Sequence, residues 1–258
     1  MRNRPYGREQ APPPSFEEAT NKRQKARAAG LDPNHWYVVA RVSDLQPGDK
    51  REVVFWKRSV VLFRTEQGAF HALENRCAHR QIKLSKGEVE GCKLVCQYHG
   101  WKYDGTGRVV ELSHDTFGHD IVNLRIPSYA VRLRYGFVWV FFGDQSRAAS
   151  TPIPEIPELE VGSGWTSITC EFRWQAHHSM VLENVSDYTH EYLHRKTEPF
   201  RDARLKECSG EGDLIDVTYE AKIGASKLMN LFVDRQKAAS GEMRLQYDYP
   251  YNRSNTDN

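Results

Sequence analysis

The chain has 258 residues, 39% of them hydrophobic and 27% charged, and a formal net charge of +2. That length suits one large domain or two modest ones, and the near-neutral balance excludes a globally basic binder of nucleic acid or anionic membrane. The five cysteines are odd in number and clustered, which argues against a disulfide framework and for metal binding or catalysis in a reducing compartment.

Residues 1–34 read as an N-terminal arm and a short helix. Met1 to Pro14 is rich in Arg and Pro. The helix is expected from Ser15 to Gly30, with Ser15 as cap, Glu18 completing a capping box and Gly30 ending it. Seven Lys/Arg between Arg2 and Arg27 read as a solvated arm or a subunit contact. The N-terminus lacks the apolar core of a signal peptide, and no apolar run approaches the roughly 18 residues of a spanning helix. A cytoplasmic protein without a membrane span is therefore expected.

Residues 35–149 read as all-β. "HWYVVARV", "REVVFWK", "SVVLFRT" and "AFHALEN" are strand-like runs separated by turn residues, and "YAVRLRYGFVWVFFG" reads as a hairpin around Gly136. Residues 150–160, "STPIPEIPELE", read as a linker because of their three prolines. Residues 161–258 read as a second, α+β part. It holds a strand-like "WTSITCEFRW", a helix from about Ala176 to Arg195, and further strands in "LIDVTYEAKI" and "MRLQYDY".

Chemistry concentrates in two places. Between strands of the first part, Cys77-x-His79 and Cys96-x-x-His99 stand on loops, with 16 residues between His79 and Cys96. Two thiolates and two imidazoles can hold zinc, or a two-iron cluster with cysteines on one iron and histidines on the other. Each loop offers one sulfur and one nitrogen, unlike the common zinc finger. Chance placement of this spacing has a probability on the order of 10⁻⁴. In the second part, "LENVSDYTHEYLHR" puts Asn184, Asp187, His190 and His194 at steps of three, three and four, which predicts one shared helical face. Histidines at i and i+4 can share a metal, and a carboxylate one turn earlier can orient an imidazole. "HEYLH" also fits the zinc-protease pattern, with Glu191 as the base.

"CAHR" and "CQYHGWKYDGTG" resemble the Rieske iron–sulfur domain, and Arg80, Gly100, Trp101, Tyr103 and Gly107 resemble its oxygenase form. Gln81 stands where many members have Gly, and Cys92 lies outside the ligand pattern as a free thiol. "NVSDYTHEYLH" is similar to the mononuclear iron motif of Rieske oxygenases, although most members place four residues between the histidines and this chain places three.

The resemblance implies the terminal oxygenase component of a Rieske non-haem iron oxygenase. Its fold would be α+β: an all-β Rieske [2Fe-2S] domain, then part of a helix-grip antiparallel sheet. Cys77, His79, Cys96 and His99 would bind the cluster, giving it a potential of roughly −150 to +300 mV against about −400 mV for a plant-type cluster. His190 and His194 would bind Fe(II), Asp187 would bridge a cluster histidine to His190, and Asn184 would line the iron pocket. Electrons would come from NAD(P)H through a flavin reductase, a ferredoxin or both. O₂ would hydroxylate or oxidatively demethylate a small organic substrate, in a homotrimer. The layout favours a monooxygenase over a ring dioxygenase. His177, His178, Met180, Asn230 and Phe232 read as packing residues, with lining of the pocket as the alternative. The family's carboxylate ligand lies well over a hundred residues past the histidine pair, and only 64 residues follow His194. A C-terminally truncated chain is therefore expected, and Asp234, Asp248 and Asp257 stay unassigned. The alternative is a Rieske-type electron carrier without oxygenase activity.

Overall fold

A computed structural model describes residues 15–112, 124–194, 200–212, 214–223 and 241–257. The chain divides into two compact units, Asp32–Thr169 and the combination of Met1–Leu31 with Cys170–Asn258. Asn230, Phe232, Asp234, Arg195 and the arm 1–14 lie outside the described residues, as does the side chain of Asp257.

The first unit is built on antiparallel strands: β1 (Trp36–Arg41), β2 (Lys50–Phe55), β3 (Arg58–Arg64), β4 (Phe70–Glu74), β9 (Ser128–Arg134) and β10 (Phe137–Phe141). They form one sheet in the order β1-β10-β9-β4-β3-β2. Each strand-like run of the sequence is realised here. The β9–β10 hairpin closes with Arg134 opposite Phe137. Its two central residues, Tyr135 and Gly136, both have positive φ (58° and 76°), the geometry whose twist matches that of the strands. Central β3 is buried continuously from Val60 to Phe63, as expected where both faces are covered.

A second, small sheet was not visible in the sequence. It consists of β5 (Glu88–Glu90), β6 (Lys93–Val95), β7 (Lys102–Tyr103) and β8 (Val109–Glu111). Strands of two or three residues are too short to display a period. This sheet carries the second Cys/His loop between β6 and β7. Val61, Phe63, Leu73, Leu84, Leu94 and Tyr103 pack into one core that includes Cys77 and Cys96.

The second unit holds α1 (Lys22–Ala28), α2 (His178–Ser186) and an antiparallel meander. Its strands are β11 (Phe200–Glu211), β12 (Leu214–Ile223), β13 (Gly241–Asp248) and β14 (Tyr251–Asp257), in that order. Met243 and Leu245 of β13 are buried and Arg244 between them is exposed, so the strand has one apolar face. Phe200, Ala221 and Met243 form a core with Tyr188 and Tyr219.

Three expectations need correction. The N-terminal helix is shorter than Ser15–Gly30. The Ser15–Glu18 box forms, with the Glu18 amide donating to Ser15 Oγ at 3.3 Å and the Ser15 amide donating to Glu18 Oε2 at 3.0 Å. It closes an isolated turn, and the helix starts afresh at Asn21, whose Oδ1 accepts from the Gln24 amide at 2.9 Å. The "WTSITCEFRW" run forms no strand and belongs to no sheet, and Trp165, Ile168, Phe172 and Trp174 are exposed. β-pattern alone makes no strand without a neighbour to bond. The helix from Ala176 to Arg195 stops at Ser186, for a reason that belongs to the site it serves.

Candidate metal centres

The two Cys/His loops are near-copies in backbone. In the first, the Cys77 amide donates to the Ile82 carbonyl and the Gln81 amide donates to the Cys77 carbonyl, each at 2.9 Å. In the second, the Cys96 amide donates to Trp101 and the Gly100 amide donates to Cys96, again at 2.9 Å. Both turns close through a residue with positive φ, Gln81 at 60° and Gly100 at 67°. The Cys-x-His and Cys-x-x-His spacings differ by one residue inside otherwise matching turns.

These turns bring the four residues together as two pairs. Cys77 and Cys96 are buried in the same core. The His79 and His99 rings lie 4.6 Å apart, and Trp101 stacks on His79 at 4.9 Å with planes 7° from parallel. His79 Nδ1 is buried and has no hydrogen-bond partner, an arrangement that costs free energy unless something else occupies the lone pair. Burial, then the neighbouring His99 and Arg80, hold His79 below its ordinary pKa, toward the neutral form that ligates metals. Burial and the adjacent Cys77 raise the Cys96 thiol, while the Tyr98 and His99 amides face its sulfur. Two buried sulfurs side by side ionise together only against a cation. Among the described residues no three His, Cys, Asp or Glu side chains converge on one point. A sulfur pair beside a nitrogen pair suits two irons better than a single tetrahedral zinc. The donors therefore fit a [2Fe-2S] cluster.

Tyr103 touches the first cluster loop directly, a contact the motif alone did not display. Its hydroxyl lies 3.1 Å from Cys77 Sγ and accepts from the Ala78 amide at 3.0 Å. With its lone pair engaged by that amide, its proton is free to donate to the sulfur. Burial and this contact raise its pKa. A hydrogen bond to a ligating sulfur raises a cluster's reduction potential.

In the second unit the expected single helical face is not realised, because the helix ends at Asp187. The Asp187 carboxylate accepts from the Thr189 amide at 2.7 Å and from the Thr189 hydroxyl at 2.5 Å. This local turn competes with helix continuation. His190 follows it, and His194 closes a 3₁₀ turn from Glu191 to His194. The two histidines nevertheless converge, Nε2 to Nε2 at 3.1 Å. Asp187 Oδ2 stands 3.6 Å from His190 Nδ1, behind the ring. Both rings pack around buried Phe200, with centroids 6.0 and 5.9 Å from it. The Thr189 hydroxyl, then its amide, keep Asp187 below the usual carboxylate range. Its negative charge is complete above that range and is lost only as pH falls through the depressed value.

Strand β14 fixes this loop on either side of Asp187. Asn252 Nδ2 donates to Ser186 Oγ at 3.0 Å, and the Ser254 and Tyr188 hydroxyls are 2.7 Å apart. Asn184 and Asp187, with Met180, line an open cleft of about 730 Å³ flanked by Lys22 and Arg23 of α1. Glu191, the base of the zinc-protease pattern, accepts from the Asp202 amide at 2.6 Å. The two histidines and their aspartate fit one metal as a histidine pair with an orienting carboxylate. Among the described residues no third donor joins the pair, and Asp248 lies at the end of β13.

Residues 35–123 match the model of the Rieske [2Fe-2S] domain. The chain is 40% identical over 233 residues to the 4beta-methylsterol monooxygenase of Methylococcus capsulatus, covering 89% of this chain and 63% of that protein. It is 33% identical over 171 residues to the vanillate O-demethylase oxygenase subunit of a Pseudomonas species, covering 62% of this chain and 44% of that one. The chain carries a domain of the Rieske [2Fe-2S] type and is similar along most of its length to these oxygenases. It thus spans less than two thirds of the length of these relatives. The crystal structure of dicamba monooxygenase bound to dicamba shares the fold, with a TM-score of 0.71 at 23% identity over 89% of this chain and 68% of that one. Among the described residues no helix is long and apolar enough to cross a membrane.

Within this Rieske domain, Gln81 is the one residue of the two cluster loops that has positive φ without being glycine. A side chain in the left-handed region costs about 1–2 kcal/mol. Gln81→Gly is expected to stabilise the domain by about 0.5–1 kcal/mol after glycine's own entropy is counted. A denaturant midpoint shifted upward at unchanged slope checks this.

Proposed function

We propose that this chain is the oxygenase component of a Rieske system that hydroxylates or oxidatively demethylates a small organic substrate with O₂. Electrons derive from NAD(P)H through a flavin reductase, a ferredoxin or both. Cys77 and Cys96 hold one iron of the cluster, and His79 and His99 hold the other. His190 and His194 hold the mononuclear Fe(II). The observation that carries this reading is the meeting of His190 and His194 at their Nε2 atoms, with Asp187 behind His190.

The cluster supplies single electrons and the mononuclear iron supplies the site at which O₂ is reduced. The chain's own residues do the rest. Tyr103 donates to Cys77 and raises the affinity of that site for an electron. Thr189 pins one oxygen of Asp187 and leaves the other for His190 Nδ1, which keeps Nε2 free of a proton and aimed at the metal. As an ionised carboxylate, Asp187 also suits a bridge to a cluster histidine of a neighbouring subunit, in a homotrimer. Asn184 and Met180 give the cleft one polar and one apolar contact for substrate. The methylsterol relative makes methylated, largely apolar compounds the first panel to screen.

Asp187→Ala tests the assignment. Iron content and the reduced cluster's EPR signal are expected to stay, while substrate-dependent O₂ consumption falls about 10–100-fold or more. Normal turnover would remove Asp187 from the path. The second reading, an electron carrier without oxygenase activity, draws on the three-residue gap between the histidines. A carrier holds no iron beyond the cluster, so iron analysis separates the two.

A further inference from the structure

Asn75 is completely buried, and with Thr65 it is one of two buried polar residues among those described. It sits two residues before Cys77, where β4 runs into the first cluster loop. Its carboxamide is fully used. Nδ2 donates to Ser59 Oγ and to Ser85 Oγ, each at 3.0 Å, and Oδ1 accepts from the Ser85 amide at 2.7 Å. The Asn75 amide also donates to the Ser59 carbonyl at 3.0 Å.

These bonds continue into a closed ring. Ser59 Oγ donates to Glu52 Oε1 at 2.6 Å, and Lys83 Nζ donates to the same oxygen at 2.8 Å. Because the single Ser59 proton goes to Glu52, its oxygen can only accept from Asn75. A carboxamide, with two donors and an acceptor on one plane, meets all three demands at once. Glu52 and Ser59 belong to the paired strands β2 and β3. Lys83 and Ser85 lie where the loop returns. Between them Leu84 enters the core beside Cys77 and Cys96. The loop's departure and its return are thus fastened to one hairpin.

We propose that Asn75 is a positioning residue for the iron–sulfur site, closing the base of the first loop so that Cys77 and His79 are held in place before iron arrives. The inference rests on the ligand set proposed above. It adds a residue outside the Cys/His pattern whose role is exerted through Cys77 and His79.

Hydrogen exchange and EPR on the full chain, purified with its iron, test it. In Asn75→Ala, amides from Arg76 to Leu84 should exchange about tenfold faster or more, as expected when a buried bonded group loses its partner. Strands β9 and β10 should not change. The reduced cluster's EPR lines should broaden, and its lifetime in chelator should shorten by a similar factor. A merely structural role would speed exchange evenly across the sheet and leave the line shape alone. Ser59→Ala should act in the same direction, and Ser59→Thr, which keeps the hydroxyl, should restore wild-type behaviour. If Asn75→Ala does not fold, Ser59→Ala decides. Wild-type loop exchange and cluster lifetime in that variant would overturn the proposal. A wild-type protein without cluster absorbance would instead sink the ligand set, while the exchange contrast would still report on the ring.

Discussion

His190→Ala is expected to lose the mononuclear iron, keep the visible spectrum of the cluster, and drop substrate-dependent O₂ consumption by on the order of 10³ or more. The size follows from how many contacts converge on that imidazole. Its Nδ1 faces Asp187, its ring packs on Phe200, and its Nε2 meets His194. Removing it leaves His194 as a lone ligand and Asp187 as a carboxylate with nothing to orient. Iron counted against protein, before and after the substitution, reads the result directly. Glu191→Gln is the matching control. The Glu191 carboxylate is occupied by the Asp202 amide, so metal content should not change. A variant at Glu191 that abolished a metal-dependent peptidase activity would revive the protease reading.

Cys96→Ala is expected to remove the cluster altogether, leaving protein without its visible absorbance or its EPR signal after dithionite. Electron delivery to the oxygenase site should fall to background. Cys96 and Cys77 share one buried core, so the site cannot borrow a substitute sulfur from solvent-facing positions. Cys92, in the same stretch, is exposed, and Cys92→Ala should be silent. Stability should drop as well, because metal binding free energy at such a site is folding free energy. Full cluster absorbance in the Cys96 variant would refute the ligand set.

The first unit was legible because its information is local and repeated. β1, β3 and β10 are runs of Val, Phe and Trp, and the Cys/His spacing survives as two matching turns. The second unit was less so. β11 is missing from the sequence reading because "FRDARLKECSGE" is charged on both faces, and its pairing with β12 slips twice, between Arg201 and Arg204 and again between Leu205 and Glu207. The helix was drawn too long because spacing reports periodicity and says nothing of a side chain that prefers its neighbour's amide. Asp187 was expected as a helical residue, and the structure places it at the helix's C-terminal cap, turned onto Thr189. Tyr103 stood in the motif but its contact with Cys77 did not, and Asn75 was invisible altogether, since burial and partners arise only once the loops have folded onto the core.

The interruption at Asp187 changes what the histidine spacing means. On an unbroken helix, one residue more or fewer between two ligands swings the second by about 100° around the axis, since a turn takes about 3.6 residues. Here the connection from His190 to His194 is a short 3₁₀ turn, held where it begins by Asp187 on Thr189 and by Glu191 on the Asp202 amide. Such a segment can absorb a single-residue indel by changing its winding while its endpoints stay put. The three-residue gap is then a length polymorphism of a connector, and lengthening it by one residue should leave iron affinity within a few-fold of the parent.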